Sequence, residues 1–177
     1  RYPAGKNTYL NTLFEYSYGE LEGSMSQFDK EKAGQKYFAK KEVLLSHPAY
    51  QHLFNFLFSG YLTDKSRDIR EKGVVNKALQ GDFDWFVNQL MAKGFNREPA
   101  ELVAVKSYFD GYYSNQSDKR SMLNGLRRAV DLCAFNPLKE ALPGMIKKMT
   151  SLQEGSRAPT MLLRNQNNVT TTLSAKG

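Results

Sequence analysis

Cysteine occurs once in these 177 residues, tryptophan once and histidine twice. A single thiol excludes an intramolecular disulfide framework and any cysteine-rich zinc site. No apolar run approaches the roughly 20 residues that a membrane-spanning helix needs. The densest, Leu53-Phe-Asn-Phe-Leu-Phe58, is far shorter. His47 and His52 stand five apart, roughly 140° around a helix, so they share no face. Pro48 beside His47 favours a helix start over a metal site. Glycine-rich phosphate cradles are missing too: Gly19-Glu-Leu-Glu-Gly23 puts acid where such a site needs donors. The acidic pairs Glu20/Glu22 and Asp82/Asp84 are read as residues of helix N-termini, where negative charge is favoured.

What is present is helix. The hydrophobic fraction of 41% can fill a core, and apolar residues recur at three and four rather than two. A first helix is expected from about Thr8 to Tyr18, with Leu10, Leu13, Phe14 and Tyr18 inside, and a loosened chain at Gly19 and Gly23. A second begins near Ser26 as N-cap, and Gly34 weakens its middle so that it divides into two pieces. Ser46-His-Pro48 starts a helix to about Leu62 that is apolar on most of its circumference and reads as central. Val74–Leu79 closes at Gly81. Asp82 caps Phe83 to Lys93, and Gly94 occupies a left-handed C-cap. Asn96 opens a helix to about Phe109. Gly111-Tyr-Tyr-Ser-Asn-Gln-Ser117 reads as loop, and Ser117 or Asp118 caps a helix to about Phe135. Asn136-Pro137 and Pro143-Gly144 each start a short helix. The expectation is an all-α bundle of eight or nine short helices over residues 1–153. Residues 154–177 are rich in Ser, Thr and Asn and read as an extended polar arm, held along this domain or a neighbouring chain. The acceptor patterns Asn115-Gln-Ser117 and Asn168-Val-Thr170 read as ordinary polar loop residues.

Charge is lopsided. Residues 1–110 carry 15 basic and 14 acidic side chains, while 111–177 carry 10 and 4. An acidic partner for the C-terminal third follows: protein, nucleic acid or an anionic surface. Two patches compete for it. Lys30, Lys32, Lys36, Lys40 and Lys41 form one, interrupted by Asp29, Glu31 and Glu42. The other combines Lys106, Tyr108, Phe109, Tyr112, Tyr113, Lys119, Arg120, Arg127 and Arg128. Its rings and guanidinium groups suit stacked bases and phosphates, or a protein interface. The competing reading plugs the rings into the core and leaves the cations solvated. Cys133 falls in register with Met122, Leu126, Ala129 and Val130, the place of an inert core thiol. No active site is read.

Two stretches, Ser46-His-Pro-Ala-Tyr50 and Val103-Ala-Val-Lys-Ser-Tyr-Phe-Asp-Gly-Tyr-Tyr113, together with the basic helical character, are similar in style to the basic linker polypeptides of phycobilisomes, including γ-type rod linkers. That resemblance implies a structural role among acidic phycobiliproteins and a place on the stromal side of the chloroplast thylakoid; without it, a cytoplasmic place is expected. It also implies a bilin cofactor, for which Cys133 is the one attachment point. The chain opens at Arg1, which leaves room for a removed leader.

The functional expectation is a non-enzymatic scaffold that docks acidic protein subunits of a larger assembly. Its contact residues are Tyr108, Phe109, Tyr112, Tyr113, Arg120, Arg127, Arg128, Lys147, Lys148 and Arg164. The alternatives are a basic nucleoprotein coating single-stranded RNA, or an effector that grips a host protein.

Overall fold

A computed structural model describes residues 8–23, 25, 29–63, 74–151, 161–164 and 170–173. Over these the fold is all-α, with eight helices: α1 Thr8–Gly23, α2 Lys30–Gly34, α3 Pro48–Phe58, α4 Val74–Leu79, α5 Phe83–Ala92, α6 Arg97–Tyr113, α7 Lys119–Leu132 and α8 Asn136–Thr150. The punctuation follows the sequence. Asp29 caps α2 by accepting from the amides of Glu31 and Lys32, Asp118 caps α7 through Arg120 and Ser121, and Gly81 and Gly94 adopt φ of 82° and 96°. The expected cap at Ser26 lies outside the described residues.

At Gly34 the α2 helix passes into a π-helical turn, Gln35–Ala39. The wider turn lets three consecutive residues, Tyr37, Phe38 and Ala39, all face inward. Asn96 at the start of α6 donates to the Ala39 carbonyl at 2.6 Å, tying the turn to the centre.

The central helix is α6, not α3. It packs on α3, α5 and α7 and buries Val103, Ala104, Ser107, Tyr108 and Tyr112 on different sides, whereas α3 leaves Phe56 exposed. It also runs on through the expected loop as far as Tyr113. Pro143 does not start a new helix; it sits on the exposed side within α8.

A file of buried rings organises the core. Tyr16 meets Phe38 at 5.5 Å, Phe38 meets Phe58 at 5.6 Å, and Phe58 meets Tyr61 at 5.8 Å. Tyr61 meets Phe86 at 6.2 Å, and Phe86 meets Tyr108 at 5.9 Å. Edge-to-face and tilted pairs at these separations each add about 0.5–1.5 kcal/mol beyond their buried area.

The face that α1 turns inward differs from the expected one. Tyr16 and Gly19 are buried, while Leu10, Phe14 and Tyr18 are exposed. Gly19 decides this. A Cβ there would lie 2.5 Å from Leu53 Cδ2 and 3.1 Å from the Tyr37 ring, so a larger residue would displace one of these buried side chains or push α1 off α3.

The expected arm contains two extended segments. Met161–Arg164 (β1) and Thr170–Leu173 (β2) form an antiparallel pair in the register Met161↔Leu173 to Arg164↔Thr170. Thr-rich sequence suits a pleated ladder, in which each strand pairs its inward-facing backbone groups with the other's.

Candidate functional site

The cations separate into engaged and unengaged sets. Lys41 pairs with Glu15 at 2.9 Å, Lys36 with Glu22 at 2.8 Å, and Lys93 with Glu31 at 2.8 Å. Lys106 pairs with Asp110, Arg97 with Glu101 and Arg128 with Asp82. The first lysine patch is therefore largely committed: Lys32 also reaches Asp29, and Lys30 lies over the Phe56 ring at 5.5 Å. Glu20 and Glu22 sit in the last turns of α1, not at a helix start, and are held by His52 and Lys36.

Arg120 and Arg127 differ. They are seven residues apart on α7, so they project from one face, and both are exposed. Neither forms an ion pair among the described residues. With Ser121, Leu123 and Asn124 they line a shallow cavity of about 490 Å³. The opposite side of the helix, Met122, Leu126 and Ala129, is buried and anchors it. Asp118 feels the Arg120 charge but makes no ion pair with its guanidinium. Its carboxylate accepts from the Ser121 hydroxyl and from both amides, and these bonds hold it below the usual carboxylate range.

A second cationic turn lies beside this one. The Tyr112 hydroxyl donates to the Met149 carbonyl at 3.2 Å, which brings the exposed Lys147–Lys148 turn of α8 to the end of α6. Lys119 at the start of α7 lies 5.9 Å above the Tyr112 ring. Tyr113, 60% exposed, packs against Tyr112 and Phe109 at 5.1 and 5.2 Å. Lys119, Arg120, Lys147, Lys148 and one tyrosine thus share an end of the bundle. Lys147 and Lys148 also complement the negative end of their own helix.

The other expected contact residues are placed differently. Tyr108 is fully buried and closes the ring file against Gly125; burial, with Asp82 nearby, pushes its phenol above the ordinary range. Tyr112 is buried and Phe109 half-buried, because α6 is the hub and three of its sides are covered. Arg128 is tied to Asp82. Arg164 is exposed on β1, with no described partner.

Cys133, the thiol that the linker resemblance would use, is free and buried. It is 2% exposed, and Sγ donates to Glu101 Oε2 at 3.1 Å. Burial, then the adjacent carboxylate, pushes the thiol up to about 12. The nucleophilic thiolate is thereby suppressed.

One surface went unread in the sequence. Phe14, Tyr18 and Leu21 on α1, with Lys36 and Tyr37, line a groove of about 630 Å³. Their apolar spacing reads as an inner face. The signal that turns it outward is small: buried Gly19 three residues after Tyr16.

Among the described residues no group of three or more His, Cys, Asp or Glu is placed to hold a metal, and no helix is long and apolar enough to cross a membrane. No protein-family model, no curated protein and no solved structure matches the chain.

Proposed function

We propose that this chain is a non-catalytic docking protein that binds acidic protein surfaces through the cationic end formed by α7 and the last turn of α8. The observation that carries the reading is the pair Arg120 and Arg127, on one helix face without a carboxylate partner among the described residues, in a molecule whose other arginines on α6 and α7 are paired. An arginine fork without a counter-ion is suited to bidentate capture of a partner's carboxylates. Exposed Tyr113 beside it supplies an amphipathic ring for the rim of such a contact. Direct charge complementarity sets encounter rate and specificity more than raw affinity. The phycobilisome linker is the special case in which the acidic partner is a phycobiliprotein.

The test is binding to purified acidic proteins, phycobiliprotein hexamers among them, and to generic single-stranded RNA, over a salt series. The reading expects protein binding that weakens by about tenfold or more in the Arg120→Glu/Arg127→Glu double variant, roughly 1.4 kcal/mol. RNA binding with a steep salt slope, and none to the acidic proteins, favours a nucleoprotein instead.

A further inference from the structure

The outward side of α1 is independent of the cationic end. Phe14, Tyr18 and Leu21 follow at intervals of four and three, the seam spacing of two packed helices, and Met25 stands just past the helix end at Gly23. Their exposures are 64, 59, 67 and 69%, and Leu10, four residues before Phe14, adds 43%. At roughly 200 Å² for a large side chain, this leaves on the order of 600 Å² open. The largest apolar patch on a typical monomer is about 300–600 Å². A standard interface takes about 800 Å² from each partner. The row alone therefore supplies most of one half of a stable dimer contact.

Charge permits the contact to be made with a like surface. Helix α1 bears Glu15, Glu20 and Glu22 and no base. Each carboxylate is engaged within the chain, by Lys41, His52 and Lys36. Two α1 helices therefore meet without bare acid facing bare acid. The unpaired cations lie elsewhere: α1 packs chiefly on α3, while α7 and α8 pack on α6 and on each other. A two-fold contact buries the same residues from both copies, which is how most soluble oligomers form.

We infer that α1 is the seam of a two-fold homodimer, in which Phe14, Tyr18 and Leu21 of one copy pack against the same row of a second. Lys36 over the Tyr18 ring at 5.9 Å lies at the edge of this row, where its ammonium stays wet while its stem covers apolar surface.

Sedimentation equilibrium of the full chain tests this from about 1 to about 200 μM, the range of micromolar self-association. The expected mass rises to twice 20.2 kDa. Phe14→Glu and Tyr18→Glu, at exposed positions, are expected to leave the helical circular dichroism and thermal midpoint of the monomer intact and to raise the dissociation constant at least 100-fold. Phe14→Ala, which adds no charge, raises it less. Tyr18→Cys is expected to give an oxidised dimer, since the native Cys133 is buried. A chain of single mass throughout the range overturns the inference, as does a dimer unmoved by these substitutions. Binding of the monomeric chain to vesicles or to another protein through this row, without self-association, overturns it as well.

Discussion

The Glu101 carboxylate, wholly buried, accepts the thiol of Cys133 at 3.1 Å. The same carboxylate accepts the amides of Ala134 and Phe135 at 2.9–3.0 Å and the Arg97 guanidinium at 2.8 Å. One side chain of α6 therefore fixes the turn between α7 and α8, and with it the direction in which α8 leaves.

Glu101→Ala should be among the most damaging single substitutions. It orphans two backbone N–H groups at about 1–3 kcal/mol each, so a loss of about 3 kcal/mol or more is expected by urea unfolding. The pH dependence has a definite sign. Burial alone would raise this carboxyl, but Arg97, the Ala134 amide, the Cys133 thiol and the Phe135 amide together bring it below its ordinary 4.5. A depressed folded value means that the stabilisation is full above about 4.5 and is lost as pH falls through the folded value. Unfolding midpoints in urea should therefore drop between pH 5 and pH 3 in the native chain, and by less in Glu101→Ala.

Cys133 should be silent toward thiol reagents in the folded chain. A thiol pushed up to about 12 is almost wholly protonated at neutral pH. Ellman's reagent should label it fully in denaturant and slowly, at the rate of opening, without denaturant. Rapid stoichiometric labelling of the folded protein would contradict the buried placement.

Two glycine-to-alanine changes should have opposite signs. A Cβ on Gly125 would lie 2.7–2.9 Å from the Tyr108 ring, which is wedged at the end of the ring file. Overpacking of that kind costs about 1–3 kcal/mol, more than the helix propensity gained. A Cβ on Gly144, within α8, meets nothing within 4 Å. Gly144→Ala should stabilise by up to about 1 kcal/mol. Thermal midpoints of the two variants check both.

Much of the architecture was legible because its signals are local. Pro48, Asp82, Asp118, Gly81 and Gly94 announce their own boundaries, and the register of Cys133 with Leu126 and Ala129 places it inside. The docking surface was legible only in its charges. Arg120 and Arg127 show as cations in the sequence, but their freedom depends on where Asp82 and Asp118 spend their charge, which is tertiary information. The α1 face was misread because apolarity and fit disagree there. Phe14 and Tyr18 outweigh Tyr16 and Gly19 on any hydropathy count, yet a missing side chain decided which side meets Leu53. Tyr108 and Tyr112 were misread for the complementary reason: a helix covered on three sides has no polar stripe to mark it as a hub. The β1–β2 pair is short, and its Thr run carries too little alternation to announce a strand.

The ring file from Tyr16 to Tyr108 also has a mechanical meaning. It runs unbroken from α1 to Tyr108 beneath Gly125 of α7, so a swing between its two ends would have to break it. Bending it would unstack several aromatic contacts at once. Whatever is held at the α1 end and whatever is held at the arginine end are kept at a set spacing, as by a strut.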